Sequence, residues 1–295
     1  MYGRGAWDDK AGVAEMLLVA EAIKVAGVQL RGNLVLTSVV DDETMGNGTL
    51  AALSRGHVAD GAIIVDGTWP ERFIVSHLGQ IGFRITLLGR SAPASVAWRG
   101  ANPLHAVGAV VQSLRDLVER KNAAAVPWGA NAAPTFVNIG RAEAGAWAGA
   151  VPCACVLDAQ YGFAPPDTPA SARQELTAAL ESAQEGSGWP QDVGAKIDFN
   201  GLETPVVIGD PENAVVRLLS GAVQRLRERR LEASIISGHC DLRHYQSNPW
   251  RPSIPACLYG PGGGRNAHAE DEYFELDHLR LVAENLASAV LEWCW

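Results

Sequence analysis

The chain has 295 residues, 24 basic and 33 acidic, giving a net charge of −9; 47% of residues are hydrophobic and 19% charged. A composition this apolar excludes a disordered chain, and the acidic balance argues against nucleic acid, whose phosphates call for basic patches. At about 100–200 residues per domain, the length predicts two domains, each able to bury a core.

Residues 8–26 place apolar side chains at Val13, Met16, Leu17, Val19, Ala20 and Ile23, a helical spacing, with Gly27 as its stop. Residues 33–40 (NLVLTSVV) are almost wholly apolar and rich in β-branched side chains, the pattern of a strand covered on both faces. A polar loop follows from Asp41, then a short helix over 49–53 and a short strand over 62–65. This alternation predicts an α/β layer with a mostly parallel sheet.

After Gly79 the texture changes. Strands are predicted over 81–88, 135–139, 151–157 and 197–199, and helices over 104–117 and 170–183. Strand, helix, strand, strand, helix, strand is the order of a compact α+β insert of the ferredoxin-like kind. The α/β texture then returns, with helices over 215–227 and 279–291 and strands over 233–236 and 256–259. The expected organisation is a discontinuous outer domain, residues 1–78 and 202–295, with residues 79–201 inserted.

No run is long enough to span a membrane. The longest near-apolar stretch, 144–157, holds a proline and glycines and falls short of roughly 18 residues. No apolar leader follows Met1. The cysteines, Cys153, Cys155, Cys240, Cys257 and Cys294, are odd in number and form no CxxC pair. They are read as buried free thiols of a reducing, cytoplasmic protein. The basic run 225–230 is interrupted by acid and reads as a solvated helix end.

Four constellations carry chemistry. Asp8 and Asp9 open the first helix, where an N-cap role would also account for them. Asp41, Asp42 and Glu43 leave the apolar run 33–40, and Asp66 closes the strand 62–65; either group also suits a solvated turn. His268 follows the glycine-rich stretch 260–264, which has no nucleotide-binding spacing. Asp8, Glu43, Asp66 and His268 thus all fall at strand ends or helix entries, where parallel sheets gather ligands. Carboxylates with an imidazole are a zinc-type donor set, and Asp42 beside them suits a base acting on water. No G-x-S-x-G elbow competes.

These motifs resemble the zinc-dependent amidohydrolase and exopeptidase family of acetylornithine deacetylase, succinyl-diaminopimelate desuccinylase, carboxypeptidase G and aminoacylase. The segment 3–10 (GRGAWDDK) is similar to its G-R-G-A-x-D-x-K motif, 41–49 (DDETMGNGT) to its D-E-E-x-G-x-G segment, and 259–272 to its G-P…A-H-x-x-x-E segment. The resemblance implies a zinc-hydrolase catalytic domain with an inserted lid and dimerisation domain. It implies that Asp8 bridges two zinc ions and that the Asp8–Asp9 peptide is cis. Glu43 and His268 would complete one site, Asp66 would serve the other, and Asp42 would stand at the general-base position, where the family carries Glu. Co2+ is an expected substitute for Zn2+. Arg243 resembles a residue that binds a substrate carboxylate, with a structural pairing to Asp241 as the other reading. Asn102 resembles a lid residue near the substrate.

The family's H-x-D motif, expected upstream of the G-R-G-A segment, has no counterpart in residues 1–295, which leaves Asp8 and Asp66 for that site. Pro93 stands where the family's lid histidine would be. The expected activity is hydrolysis of an N-acyl amino acid or small peptide bearing a free carboxylate, by a homodimer paired through its lid. The competing expectation is a non-catalytic homologue that binds at most one zinc and dimerises.

Overall fold

The computed structural model describes residues 1–125, 133–199, 201–246, 252–262 and 266–295. Gly263 and Gly264 of the glycine-rich stretch lie outside them. The chain forms two compact units, Met1–His77 with Val207–Ile236 and Cys240–Trp295, and Leu78–Val206 with Ser237–His239.

The first unit contains helices α1 (Ala11–Val25) and α2 (Asn47–Ser54) and strands β1 (Ala62–Ile64) and β2 (Arg72–His77). The second supplies β3 (Gly79–Leu88), α3 (Val107–Ala124), β4 (Phe136–Ala144), β5 (Ala154–Phe163), α4 (Pro169–Glu185), β6 (Gly194–Asp198) and β7 (Glu203–Thr204). The chain returns to the first unit with α5 (Ala214–Arg227), β8 (Glu232–Ile236), α6 (Leu242–Gln246), β9 (Ala256–Leu258) and α7 (Leu276–Trp293).

The first unit's sheet has the order β1-β9-β2-β8. β1 runs parallel to β9 and β2 parallel to β8, while β2 meets β9 antiparallel at Ile74 and Leu258, so the sheet is mixed but mostly parallel. One core joins Val19 and Ile23 of α1, Val215, Leu219 and Val223 of α5, and Val282 and Leu286 of α7 to Phe73, Val75, Cys257 and Tyr259. Asn213 caps α5, its side chain accepting from the N–H groups of Val215 and Val216.

The apolar run 33–40 departs from expectation. It forms no strand, and only Leu34 and Thr37 are partly buried. Its composition suits a doubly covered strand, but no neighbouring strand supplies a ladder, and strand propensity does not act without one. β2 was not foreseen; it is separated from β3 by Leu78 alone, and its apolar residues are only Phe73, Ile74 and Val75.

The second unit's sheet runs β4-β5-β3-β6, all antiparallel, with β7 pairing β3. Alternate residues of β3 (Ile81, Phe83, Ile85, Leu87) and β5 (Cys155, Leu157, Ala159, Tyr161) pack with Val110, Leu114 and Leu117 of α3 and Leu176 and Leu180 of α4. The opposite face is polar, with Arg84 and Arg141 both bonded to Asp158. Cys153, just before β5, is exposed, which departs from the expected buried thiol; the other four cysteines are buried free thiols. Among the described residues, no helix is long and apolar enough to cross a membrane.

Candidate metal centre

Three segments of the first unit build the site. Glu272 organises the first. Its carboxylate accepts from the backbone N–H groups of Gly5 (2.7 Å), Trp7 (2.9 Å) and Asp8 (3.0 Å) and from Arg4 Nη1 (3.0 Å). The Gly3 N–H donates to the Glu272 carbonyl at 2.8 Å. Burial alone would raise the Glu272 carboxyl, but the three N–H donors and Arg4 hold it below its ordinary value. These bonds set Asp8 beside the loop that carries His268. The Asp8–Asp9 peptide is cis, and the helical turn Ala6–Lys10 is non-helical at Asp8 and Asp9.

Asp41 organises the second segment. It adopts a positive φ of 76°, and its carboxylate accepts from Thr44 Oγ1, the Asn47 N–H and Asn47 Nδ2. The Thr44 bond, with those of Asn47, holds the Asp41 carboxyl below its ordinary value. The loop so closed carries Glu43 to His268 and Asp42 into the unit's interior.

The third segment is the pair of loops after β1 and β9. The Thr68 Oγ1 accepts from the Gly260 N–H (3.0 Å) and donates to the Gly260 carbonyl (3.1 Å). A Cβ at Gly262 would lie 1.5 Å from the Thr68 carbonyl oxygen, so only glycine allows this approach. Gly260 and Gly262 thereby serve loop packing between Asp66 and the His268 loop.

These loops bring Asp8, Glu43 and His268 together. His268 Nε2 lies 2.9 Å from Asp8 Oδ2 and 2.7 Å from Glu43 Oε1. Their donor atoms lie within 4.8 Å of one another, the one such group of three or more metal-ligating side chains among the described residues. Burial tends to lower the His268 imidazole, but Glu43 and then Asp8 raise it above its ordinary value. One imidazole nitrogen and two carboxylate oxygens converging at this range fit a divalent cation.

Acids stand behind the triad. Asp66 is raised to about 6 by burial, then by the charge of Asp8. Asp9 is raised to about 9, by burial first and Asp66 second, while the Gly12 N–H donates to its Oδ1. Asp42 is raised to about 8 by burial, then by Asp241 and Asp66, with Arg243 opposing. Arg243 is 6% exposed, donates from Nη1 to the Cys240 carbonyl at 2.8 Å, and places Nη2 3.5 Å from Asp241 Oδ1. Thr49 Oγ1 donates to the other Asp241 oxygen. Asn102 belongs to the second unit, where its Oδ1 accepts from the Leu104 N–H at 3.0 Å and caps a short helical turn.

Sequence reasoning gave Glu272 and Asp241 no role of their own. Glu272 closes a cluster of acids, Glu270, Asp271 and Glu272, and its place as the last residue of the A-H-x-x-x-E segment was the signal that could have found it. Its burial at 2% exposure is visible only when the segment 3–8 folds onto it.

A mostly parallel α/β unit with a carboxylate–imidazole cluster at its loop ends has the donor set of a metal-binding protein. The sequence model of Peptidase family M20/M25/M40 matches residues 1–292, and the chain belongs to that family. Family membership makes it a hydrolytic enzyme of amide bonds that uses a divalent metal. It is 24% identical over 314 residues to N-formyl-4-amino-5-aminomethyl-2-methylpyrimidine deformylase of Bacillus subtilis, an alignment covering 100% of this chain and 72% of that protein. It is 32% identical over 193 residues to a probable carboxypeptidase of Aspergillus flavus, covering 63% of this chain and 44% of that one. Among solved structures, the dipeptidase Dug1p of Saccharomyces cerevisiae matches with a TM-score of 0.81 at 13% identity, covering 100% of this chain and 72% of that chain. Human carnosine dipeptidase 1 matches with a TM-score of 0.78 at 12% identity, covering 99% and 73%.

Proposed function

We propose that the chain is a zinc-dependent amidohydrolase that cleaves an N-acyl amino acid or small peptide bearing a free carboxylate. The observation that carries this reading is the convergence of Asp8, Glu43 and His268 in one family-matched unit. These three side chains would hold the metal, with Asp66 behind Asp8 as the acid of a second site. Zinc, or cobalt in its place, would polarise the scissile carbonyl and acidify a water when bound. Asp42 would be the base, accepting a proton at its carboxylate. Glu272 keeps Asp8 in place through the backbone. Arg243 offers Nη2, which has no hydrogen-bond partner among the described residues, to the substrate carboxylate. Asn102 of the second unit, with its Nδ2 not engaged in the cap, is a further candidate substrate-binding residue.

The second unit fits a ferredoxin-like lid and dimerisation domain, a reading supported by its strand–helix–strand–strand–helix–strand order and its first strand lying between the third and fourth. The homodimer through this unit and the cytoplasmic location belong to the same proposal. A second reading, a non-catalytic chain that binds one zinc, is favoured by the single donor triad among the described residues. The test is hydrolysis of a panel of N-acyl amino acids and dipeptides by the zinc-loaded chain, beside metal content per chain. Turnover that is lost in His268→Ala supports the first reading. No turnover with one zinc bound supports the second.

A further inference from the structure

Asp241 ties two parts of the first unit together. Its side chain is 5% exposed, and Thr49 Oγ1 of α2 donates to its Oδ2. Its Oδ1 lies 3.5 Å from Arg243 Nη2 and 3.8 Å from His244 Nε2. The His244 N–H donates to the Asp241 carbonyl at 2.9 Å, and His244 Nε2 lies 3.1 Å from the Met45 carbonyl oxygen. Gly46 packs on the same carboxylate: a Cβ there would lie 2.0 Å from Asp241 Oδ1 and 2.7 Å from Arg243 Nη2. The Gly46 N–H donates to the Asp41 carbonyl at 2.8 Å, which closes the loop that carries Asp42 and Glu43. One buried carboxylate therefore joins the start of α2, anchored to that loop, to α6 with Arg243.

Arg243 needs such a hold. Its Nη1 donates to the Cys240 carbonyl at 2.8 Å, and a guanidinium anchored at one nitrogen can still turn about that bond. At 3.5 Å, Asp241 Oδ1 stands beyond an ordinary hydrogen bond from Nη2, yet between buried groups its charge still pulls strongly. The guanidinium is thus aimed without its Nη2 donors being used up, and a second carboxylate can meet them. We propose that Asp241, held by Thr49, is the positioning residue that aims Arg243 at the substrate carboxylate, and so sets the preference for a substrate with a free carboxylate. Its anchor belongs to the segment 41–49 that carries Asp42 and Glu43, so carboxylate binding and metal ligation share one support. This rests on the reading of Arg243 given above.

The test takes the zinc-loaded full chain and compares kcat/KM for the best acid substrate of the panel with that for its carboxamide. Both are measured on one preparation, so their ratio is independent of the folded fraction. Arg243→Ala is expected to remove the preference for the acid. Asp241→Asn is expected to lower it at least about tenfold, chiefly through the KM of the acid, since a misplacement of about 1 Å can cost about 10²-fold. Thr49→Val keeps the volume without the hydroxyl and should shift the ratio the same way; Thr49→Ser, which keeps the hydroxyl, should restore it. If Asp241→Asn does not fold, the two Thr49 variants decide. A merely structural Asp241 would lower kcat/KM for acid and amide alike, and that result overturns the proposal. So does a preference that Arg243→Ala removes while Asp241→Asn and Thr49→Val keep it. A preference that survives Arg243→Ala, or a chain with no turnover on the panel, overturns the reading of Arg243 and this inference with it.

Discussion

Replacing Glu15 with methionine is expected to stabilise the first unit, by an amount that grows with pH. Glu15 lies on α1 at 0% exposure, and neither carboxylate oxygen has a hydrogen-bond partner among the described residues. Burial raises its carboxyl from the ordinary 4.5 to about 9. The unfolded chain therefore releases this proton near pH 4.5, while the folded chain keeps it to about pH 9. Between those values the folded state binds more protons, so stability falls by about 1.36 kcal/mol per pH unit. At pH 7 the ceiling on this loss is about 3.4 kcal/mol; below pH 4.5 it vanishes. Methionine keeps the length and approximate volume and has nothing to ionise. Urea unfolding of parent and variant at pH 5.5 and pH 8 should show the gap widening by about 3 kcal/mol. A gap that is flat with pH would refute the reasoning, because it would mean that Glu15 is ionised in the folded chain or is solvated by water.

Glu272→Gln is expected to lose about 2 kcal/mol of stability, since an ionised acceptor of three N–H groups becomes a neutral one; a thermal melt checks it, and isothermal titration should show weaker zinc binding as Asp8 loosens. Gly12→Ala should be destabilising by at least about 3 kcal/mol, because its Cβ would lie 1.8 Å from the Val65 carbonyl oxygen and 2.5 Å from Asp9 Oδ1; the parent and variant melts compare directly. Zinc affinity should rise with pH through the His268 titration, whose midpoint is raised, because the proton competes for Nε2. In His268→Ala that part of the slope should disappear. In the metal-free chain the His268 ion pairs with Glu43 and Asp8 should stabilise at low pH and fade as pH rises through the raised midpoint.

The elements read best from the sequence were those with a clear period and a cap. α5 and α7 fall within a few residues of expectation because an apolar stripe and, for α5, Asn213 define them. The run 33–40 shows the limit, since composition records what a strand would suit and not whether a neighbour pairs with it. At the site, the three side chains that the structure brings together, Asp8, Glu43 and His268, stand in the segments 3–10, 41–49 and 259–272 whose motifs drew notice in the sequence. The roles of the groups that hold them were not legible there. Glu272 acts on backbone N–H groups more than 260 positions away, and Glu15 is one acid on a helix whose burial depends on which face α7 covers. For Arg243 the sequence left substrate binding and a pairing with Asp241 both open, and the fold places its Nη2 3.5 Å from Asp241 Oδ1.

The most direct test is anomalous scattering at the zinc edge from crystals of the full chain grown with Zn2+. A peak bounded by Asp8, Glu43 and His268, absent in His268→Ala, is the result this account expects. Zinc bound elsewhere, or no peak at these three side chains, would contradict it.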